Sequence, residues 1–146
     1  MKVYLDNCSF NRPFDSQVQL IVRLETEAKL FIQSKVVNGD VKLVWSYILE
    51  YENAFNPFPE RKKIILNWKK LAVQIIEEST ILLELAGEIQ NLGLKPKDAL
   101  HVACAIVAGC DYFITTDKGI LKKANNFGKV NVVSPIHFIN IWEEEK

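Results

Sequence analysis

Apolar positions recur along the chain in two rhythms. Short apolar, aromatic or β-branched runs at Lys2-Val3-Tyr4-Leu5, Val41 to Trp45, Tyr112-Phe113-Ile114-Thr115 and Val130 to Val133 predict buried strands. Val73 to Ile76 is too short for periodicity to choose between a strand and a helical extension. Elsewhere the period is helical. Val18, Ile21, Leu24, Ala28, Phe31, Ile32 and Val36 form a stripe that predicts a long, core-covering helix from Asp15 or Ser16 to about Val37, closed by Asn38-Gly39. Ser46 reads as the N-cap of a helix carrying Tyr47 to Ala54, which Asn56-Pro57-Phe58-Pro59 breaks. Glu60 to Leu71 predicts another, with Arg61, Lys62, Lys63, Lys69 and Lys70 forming a solvated face. Thr80 opens a helix from Ile81 to Leu92 that Gly93 ends. A short helix follows from Lys118 to Asn125, and a last one begins with Ser134 as cap and Pro135 at its first position, ending in an exposed tail, Glu143 to Lys146.

One stretch stands apart. From Ala99 to Ala108 every residue but His101 is apolar, so the helix begun by Pro96 has little face for water, and Gly109 stops it. It carries Asp98 in its first turn. The strand after it delivers Asp117 just past its end.

Alternating strands and helices joined by right-handed crossovers predict a three-layer α/β/α fold with a mostly parallel central sheet of four or five strands. A chain of 146 residues, 49% hydrophobic and 25% charged, matches one globular domain spanning residues 1–146. Eighteen basic and eighteen acidic residues cancel, which excludes a global positive field, so any nucleic-acid contact is local. The three cysteines form no CxxC pair, no apolar core follows Met1-Lys2, and no run approaches the ~18 apolar residues a membrane span needs. A cytoplasmic protein without membrane contact is expected.

On this architecture Asp6 and Asp117 leave strand ends, and Asp98 and either Glu50 or Glu52 sit on helices that follow strands. Each acid alone has a structural reading: an Asx turn for Asp6, a helix cap for Asp117, a dipole-favoured first turn for Asp98 and Glu50. Residues two apart on a helix point about 200° apart, so only one of the two glutamates faces a given site. Ligands bind beyond the carboxyl ends of strands in open α/β sheets, and four carboxylates converging there would repel one another. A hard divalent cation, Mg²⁺ or Mn²⁺, resolves that repulsion with oxygen ligands. Zinc is disfavoured, because His101 and His137 are far apart and the cysteines lack ligand spacing. His101, one turn after Asp98, reads as a satisfied, partly buried histidine bordering the site, and Cys8 as an inert packing residue.

The pattern resembles the PIN domain, a family of metal-dependent ribonucleases that includes many toxins of toxin-antitoxin pairs. The resemblance rests on Tyr4-Leu5-Asp6, Ser46 with Glu52 six residues later, Asp98-Ala99-Leu100-His101-Val102-Ala103, and Thr115-Thr116-Asp117. It implies that Asp6, Glu52, Asp98 and Asp117 bind one or two Mg²⁺ or Mn²⁺ ions, with Thr115 in support, and the spacing from Ser46 favours Glu52 over Glu50. Many members have Ser, Thr or Asn two residues after the first acid. Here Cys8 stands there, between Asn7 and Ser9, which become the candidate supporting groups. The implied activity is endonucleolytic hydrolysis of single-stranded or structured RNA, leaving a 5′-phosphate; by their proximity to the acids, Arg12, Lys95, Lys97 and Lys118 are the expected substrate grips. An antitoxin partner and a homodimer are implied with it. The alternatives are a catalytically inactive PIN-like module that binds RNA or protein, and a phosphohydrolase with an aspartyl nucleophile; the latter commonly has a second Asp where Cys8 stands.

Overall fold

A computed structural model describes residues 1–145. The strands are β1 (Lys2–Leu5), β2 (Lys42–Ser46), β3 (Gln74–Ile76), β4 (Tyr112–Ile114) and β5 (Asn131–Val133), and the order across the sheet is β3-β2-β1-β4-β5. All four pairings are parallel, so the mostly parallel sheet is wholly parallel, and the ambiguous segment before Glu77 is a strand. From β1 the chain winds outward through β2 to β3, then returns to the other side of β1 for β4 and β5. The order thus reverses between β1 and β4, which is where a crevice opens beyond the strand ends. Leu5 pairs with Ile114 at that point, and the Asp6 N–H donates to the Ile114 carbonyl at 3.2 Å.

The helices are α1 (Asn7–Asn11), α2 (Leu20–Val37), α3 (Tyr47–Ala54), α4 (Pro59–Lys69), α5 (Thr80–Gln90), α6 (Pro96–Val107), α7 (Lys118–Ala124) and α8 (Pro135–Glu144). Helices α5 and α6 pack together, as do α2 and α8, and α6 lies on β2 and β4. The sheet is covered from both sides: Tyr4 of β1 meets His101 of α6, while Trp45 of β2 packs edge-on against Phe10 of α1. Helix α6 buries Ala99, Val102, Ala103, Cys104 and Ala105, as its composition predicts, and Gly109 ends it with φ +71°, a conformation that suits glycine. Ser46 and Ser134 cap α3 and α8 as expected, each accepting the backbone N–H three residues on. No helix among the described residues is long and apolar enough to cross a membrane. Glu143 to Glu145 are exposed, and Lys146 lies outside the described residues.

Three expectations change. The segment after Asp6, to which the sequence pattern assigns no helix, forms α1 and a 3-10 turn, Arg12–Phe14, because Asp6 caps it by accepting the Ser9 N–H at 3.1 Å. Helix α2 begins at Leu20 rather than at Asp15 or Ser16. Asp15 ends the 3-10 turn in extended backbone and pairs with Arg12 at 3.1 Å, so it is unavailable as a helix start. The predicted stripe holds only in part: Ala28, Ile32 and Val36 are buried, but Val18 is 84% exposed and Leu24 47%, and Glu25, Lys29 and Gln33 are buried beside Val22. Helix α5 begins at Thr80 as expected, with Ser79 as its N-cap.

Candidate active site

Four chain segments meet beyond the carboxyl end of the sheet. Asp6 follows β1, Asp117 follows β4, Glu52 sits in the second turn of α3, and Asp98 lies in the first turn of α6. All four line one cleft of about 350 Å³, together with Asn7, Cys8, Asn11, Arg12, Asp15 and His101. Glu50 does not line it. It is exposed and pairs with Lys69 at 2.5 Å, so the 200° separation along α3 assigns the inward position to Glu52.

Each carboxylate is held differently. Asp6 is buried and receives Cys8 Sγ–H at 2.7 Å, the Ser9 N–H at 3.1 Å and the Thr115 hydroxyl at 2.5 Å. Thr115 also accepts the Asp117 N–H at 3.0 Å, so one hydroxyl ties the two strand-end acids together. Asp117 accepts the Ile120 N–H at 3.1 Å and is the N-cap of α7. Its structural reading is therefore realised alongside its place in the cleft. A Cβ at Gly119 would come within 3.1 Å of Asp117 Oδ1, so glycine there leaves the carboxylate room. Asn7 donates to Glu52 Oε2 at 3.4 Å, and Ser9 turns its hydroxyl away to the Ile114 carbonyl.

The acids feel one another. Burial raises the Asp98 pKa first, the charges of Asp117 and Asp6 raise it further, and His101 and Lys95 oppose the rise. Burial also raises Asp6, against the hydrogen bonds from Cys8 and Thr115. Cys8 is not the packing residue its sequence context suggested, since its thiol donates to Asp6. It is nonetheless unreactive: burial and the Asp6 charge push it up to about 12, which leaves it protonated near neutrality.

His101 does more than border the cleft. Leu49 N–H donates to Ser46 Oγ at 3.2 Å, Ser46 Oγ lies 2.7 Å from the Tyr4 hydroxyl, and that hydroxyl lies 2.6 Å from His101 Nδ1. His101 Nε2 meets Glu52 Oε1. An ionised carboxylate only accepts, so Nε2 donates to Glu52, and the Tyr4 hydroxyl bridges Nδ1 and Ser46 Oγ. Burial holds the Tyr4 pKa well above its ordinary value, which keeps this phenol a donor. A buried chain of hydrogen bonds thus ends on Glu52. Sequence reasoning missed Tyr4 and Ser46 as members of it, and the available signal was only the i, i+3 spacing of Asp98 and His101. Asn11 and Asp15 were missed as cleft residues, because α1 was not foreseen.

The candidate substrate grips are scattered. Arg12 reaches the cleft, yet its guanidinium is paired with Asp15 at 3.1 Å and Glu25 at 3.3 Å. Lys95, Lys97 and Lys118 are exposed outside the lining; Lys95 bears on Asp98, Lys118 bears on Glu25, and Lys97 lies 5.6 Å from the Tyr51 ring centroid.

Four carboxylates with an asparagine amide form a hard oxygen donor set, the chemistry that suits Mg²⁺ or Mn²⁺. Among the described residues, no three His, Cys, Asp or Glu side chains are already gathered as a chelating group. The hydrogen bonds account for this: Asp6, Glu52 and Asp117 point at protein donors. The gathering of four acids in one cleft is the observation that fits a cation, because a bound positive charge offsets their mutual repulsion.

A family model described as PIN domain matches residues 43–126, a stretch that contains Glu52, Asp98 and Asp117 but not Asp6. No curated protein matches the chain. Among solved structures, the chain is similar to VapBC2 from Rickettsia felis bound to a DNA fragment from its promoter, with TM-score 0.57 and 14% identity over 92% of this chain and 98% of that one. It is similar to DNA-bound VapBC from Salmonella typhimurium at TM-score 0.57 and 16% identity, with the same coverage. At these identities the likeness is one of fold.

Proposed function

The family model covers more than half of the chain, so this protein belongs to the PIN-domain family, and from that premise we propose that it is a Mg²⁺- or Mn²⁺-dependent endoribonuclease. One observation carries the reading: four acids from four separate elements line a single cleft at the point where the strand order reverses. Asp6, Glu52, Asp98 and Asp117 hold the cation in this proposal. When bound, it supplies a water activated for in-line attack on phosphorus and charge neutralisation at the phosphate.

The protein's own residues do the rest. Thr115 and Ser9 fix the Asp6 carboxylate, and Thr115 spaces it from Asp117. The Ser46-Tyr4-His101 chain orients Glu52, and Asn7 steadies its other oxygen. Lys95, Lys97 and Lys118 offer positive charge to flanking phosphates, with Arg12 contributing less because Asp15 and Glu25 already offset it. With equal numbers of acidic and basic residues, binding rests on these few contacts and weakens steeply with salt.

The VapBC neighbours support a role as the toxin of a toxin-antitoxin pair, with an antitoxin as protein partner, a homodimeric state and a cytoplasmic location as parts of the same proposal. The test is cleavage of single-stranded RNA with and without Mn²⁺. Cleavage that requires the cation and falls about 100-fold or more in Asp98→Ala and Asp6→Ala proteins supports the reading. Cation-dependent cleavage that persists unchanged in both variants overturns it, and binding of RNA without cleavage favours the inactive module.

A further inference from the structure

A second cleft opens beside the acid-lined one. It shares Asn7, Asn11 and Glu52 with the first and continues over Phe55, Phe58 and Arg61. Helix α3 buries Ile48, Leu49 and Asn53, and turns Tyr51 and Phe55, four residues apart, to the opposite stripe. Both rings are open to water, Tyr51 at 51% and Phe55 at 70%, and they meet edge-on with centroids 5.0 Å apart. The chain break after α3 presents Phe58, 50% exposed, and the first turn of α4 lays the Arg61 guanidinium 3.9 Å above its ring. At the other end Lys97, the neighbour of Asp98, sits over Tyr51 at 5.6 Å. Three exposed rings bracketed by two cations therefore run along the edge of the acid cleft.

We propose that this strip is a stacking platform for unpaired bases of a single-stranded RNA, on one side of the phosphate that enters the acid cleft. The inference rests on the reading of that cleft as a nuclease site and adds what selects its substrate. Exposed rings alone would suit any apolar partner. Two features favour a nucleic-acid strand. A cation stands at each end of the ring strip, so that π-faces and positive charges are offered together, as bases and phosphates require. The strip also shares a wall with the acids, so a strand that brings a phosphate to Asp98 lays its next nucleotides across Phe55 and Phe58. A duplex keeps its bases stacked inside and has no faces to offer, which makes the platform selective for single strands. Asp15 and Glu52 lie on the shared wall and keep the phosphates toward Arg61 and Lys97.

The experiment uses the Asp98→Asn protein, so that RNA is bound rather than consumed, and a single-stranded RNA carrying 5-iodouridine, which photocrosslinks to rings it stacks on. The expected crosslinks fall on Tyr51, Phe55 or Phe58. Phe55→Ala and Phe58→Ala, at exposed positions, each weaken binding by roughly tenfold, and Phe55→Trp retains it. The same sequence annealed as a duplex yields no crosslink on these rings. Unchanged affinity in both alanine variants, or crosslinks confined to other residues, overturns the proposal. So does a switch from dimer to monomer in Phe55→Ala with RNA binding intact, which would assign the strip to contact between two copies of the chain. Crosslinking to the rings combined with absence of cleavage by the unsubstituted protein would leave the platform standing and remove the nuclease reading instead.

Discussion

Helix α6 packs on α5, β2 and β4 and buries Ala99, Val102, Ala103, Cys104 and Ala105, whereas α2, packed on α8 and on the 3-10 turn, buries Glu25, Thr26, Lys29 and Gln33 among its apolar residues. The first helix is small and apolar where it meets the sheet, and it carries two cleft groups, Asp98 and His101. The second leaves Leu20, Ile21, Leu24 and Leu30 exposed and spends its buried polar groups on the cleft rim: Glu25 pairs with Arg12, and the Thr26 hydroxyl donates to the Arg12 carbonyl at 3.3 Å. One helix mounts the chemistry through close packing. The other braces a loop through polar contacts.

The largest expected difference between them is functional. Asp98→Ala on α6 lowers RNA cleavage about 100-fold or more, while Leu24→Asn on α2 leaves it unchanged, as measured by single-turnover cleavage. Equal losses would mean that α2 serves the site as closely as α6 does. Next comes packing. Ala103 is fully buried, so Ala103→Leu costs about 1–3 kcal/mol in urea unfolding, by overfilling the close packing around α6. A neutral result would show slack where the account requires close contact.

Lys29 offers a change of opposite sign. It is 4% exposed, burial lowers its pKa to about 7, and its ammonium has the Phe10 and Trp68 rings at 5.5 and 5.9 Å as partial compensation. Because the folded pKa lies below the unfolded value of about 10.4, the penalty is complete below about pH 7 and fades as pH rises toward 10.4. Lys29→Met is therefore expected to stabilise the protein by about 1 kcal/mol or more at pH 6, and by less at pH 9. A gain that grows with pH would contradict this sign. The smallest effect belongs to the outer face of α2, where Leu24→Asn changes stability by no more than about 0.5 kcal/mol.

The same contrast explains what the sequence reveals. Helix α6 is apolar on almost every side, so its burial follows without knowing its partners, and its limits follow from Pro96 and Gly109. Helix α2 inverts the usual pattern over part of its length. Leu24 counts as core by hydropathy and lies outside, while Lys29 counts as surface and lies inside, because Phe10 and Trp68 receive its stem and charge. Helix α1, five residues long, is too short to show a period and depends on the Asp6 cap. Asp6, Asp98 and Asp117 were legible because strand ends and helix starts follow from topology, whereas Glu52 is preferred to Glu50 only through the spacing from Ser46 that the family resemblance supplies. The chain from Ser46 through Tyr4 to His101 was not, since it depends on side chains brought together across the sheet and α6.

The claim that joins these observations is that the acids following β1 and β4 and those on α3 and α6 hold one divalent cation site. Calorimetric titration of Mn²⁺ into the unsubstituted protein and into Asp98→Asn tests it most directly. The account predicts saturable binding to the former that is lost or weakened at least roughly tenfold in the latter. Identical binding to both proteins, or no binding to either up to about millimolar Mn²⁺, would contradict it.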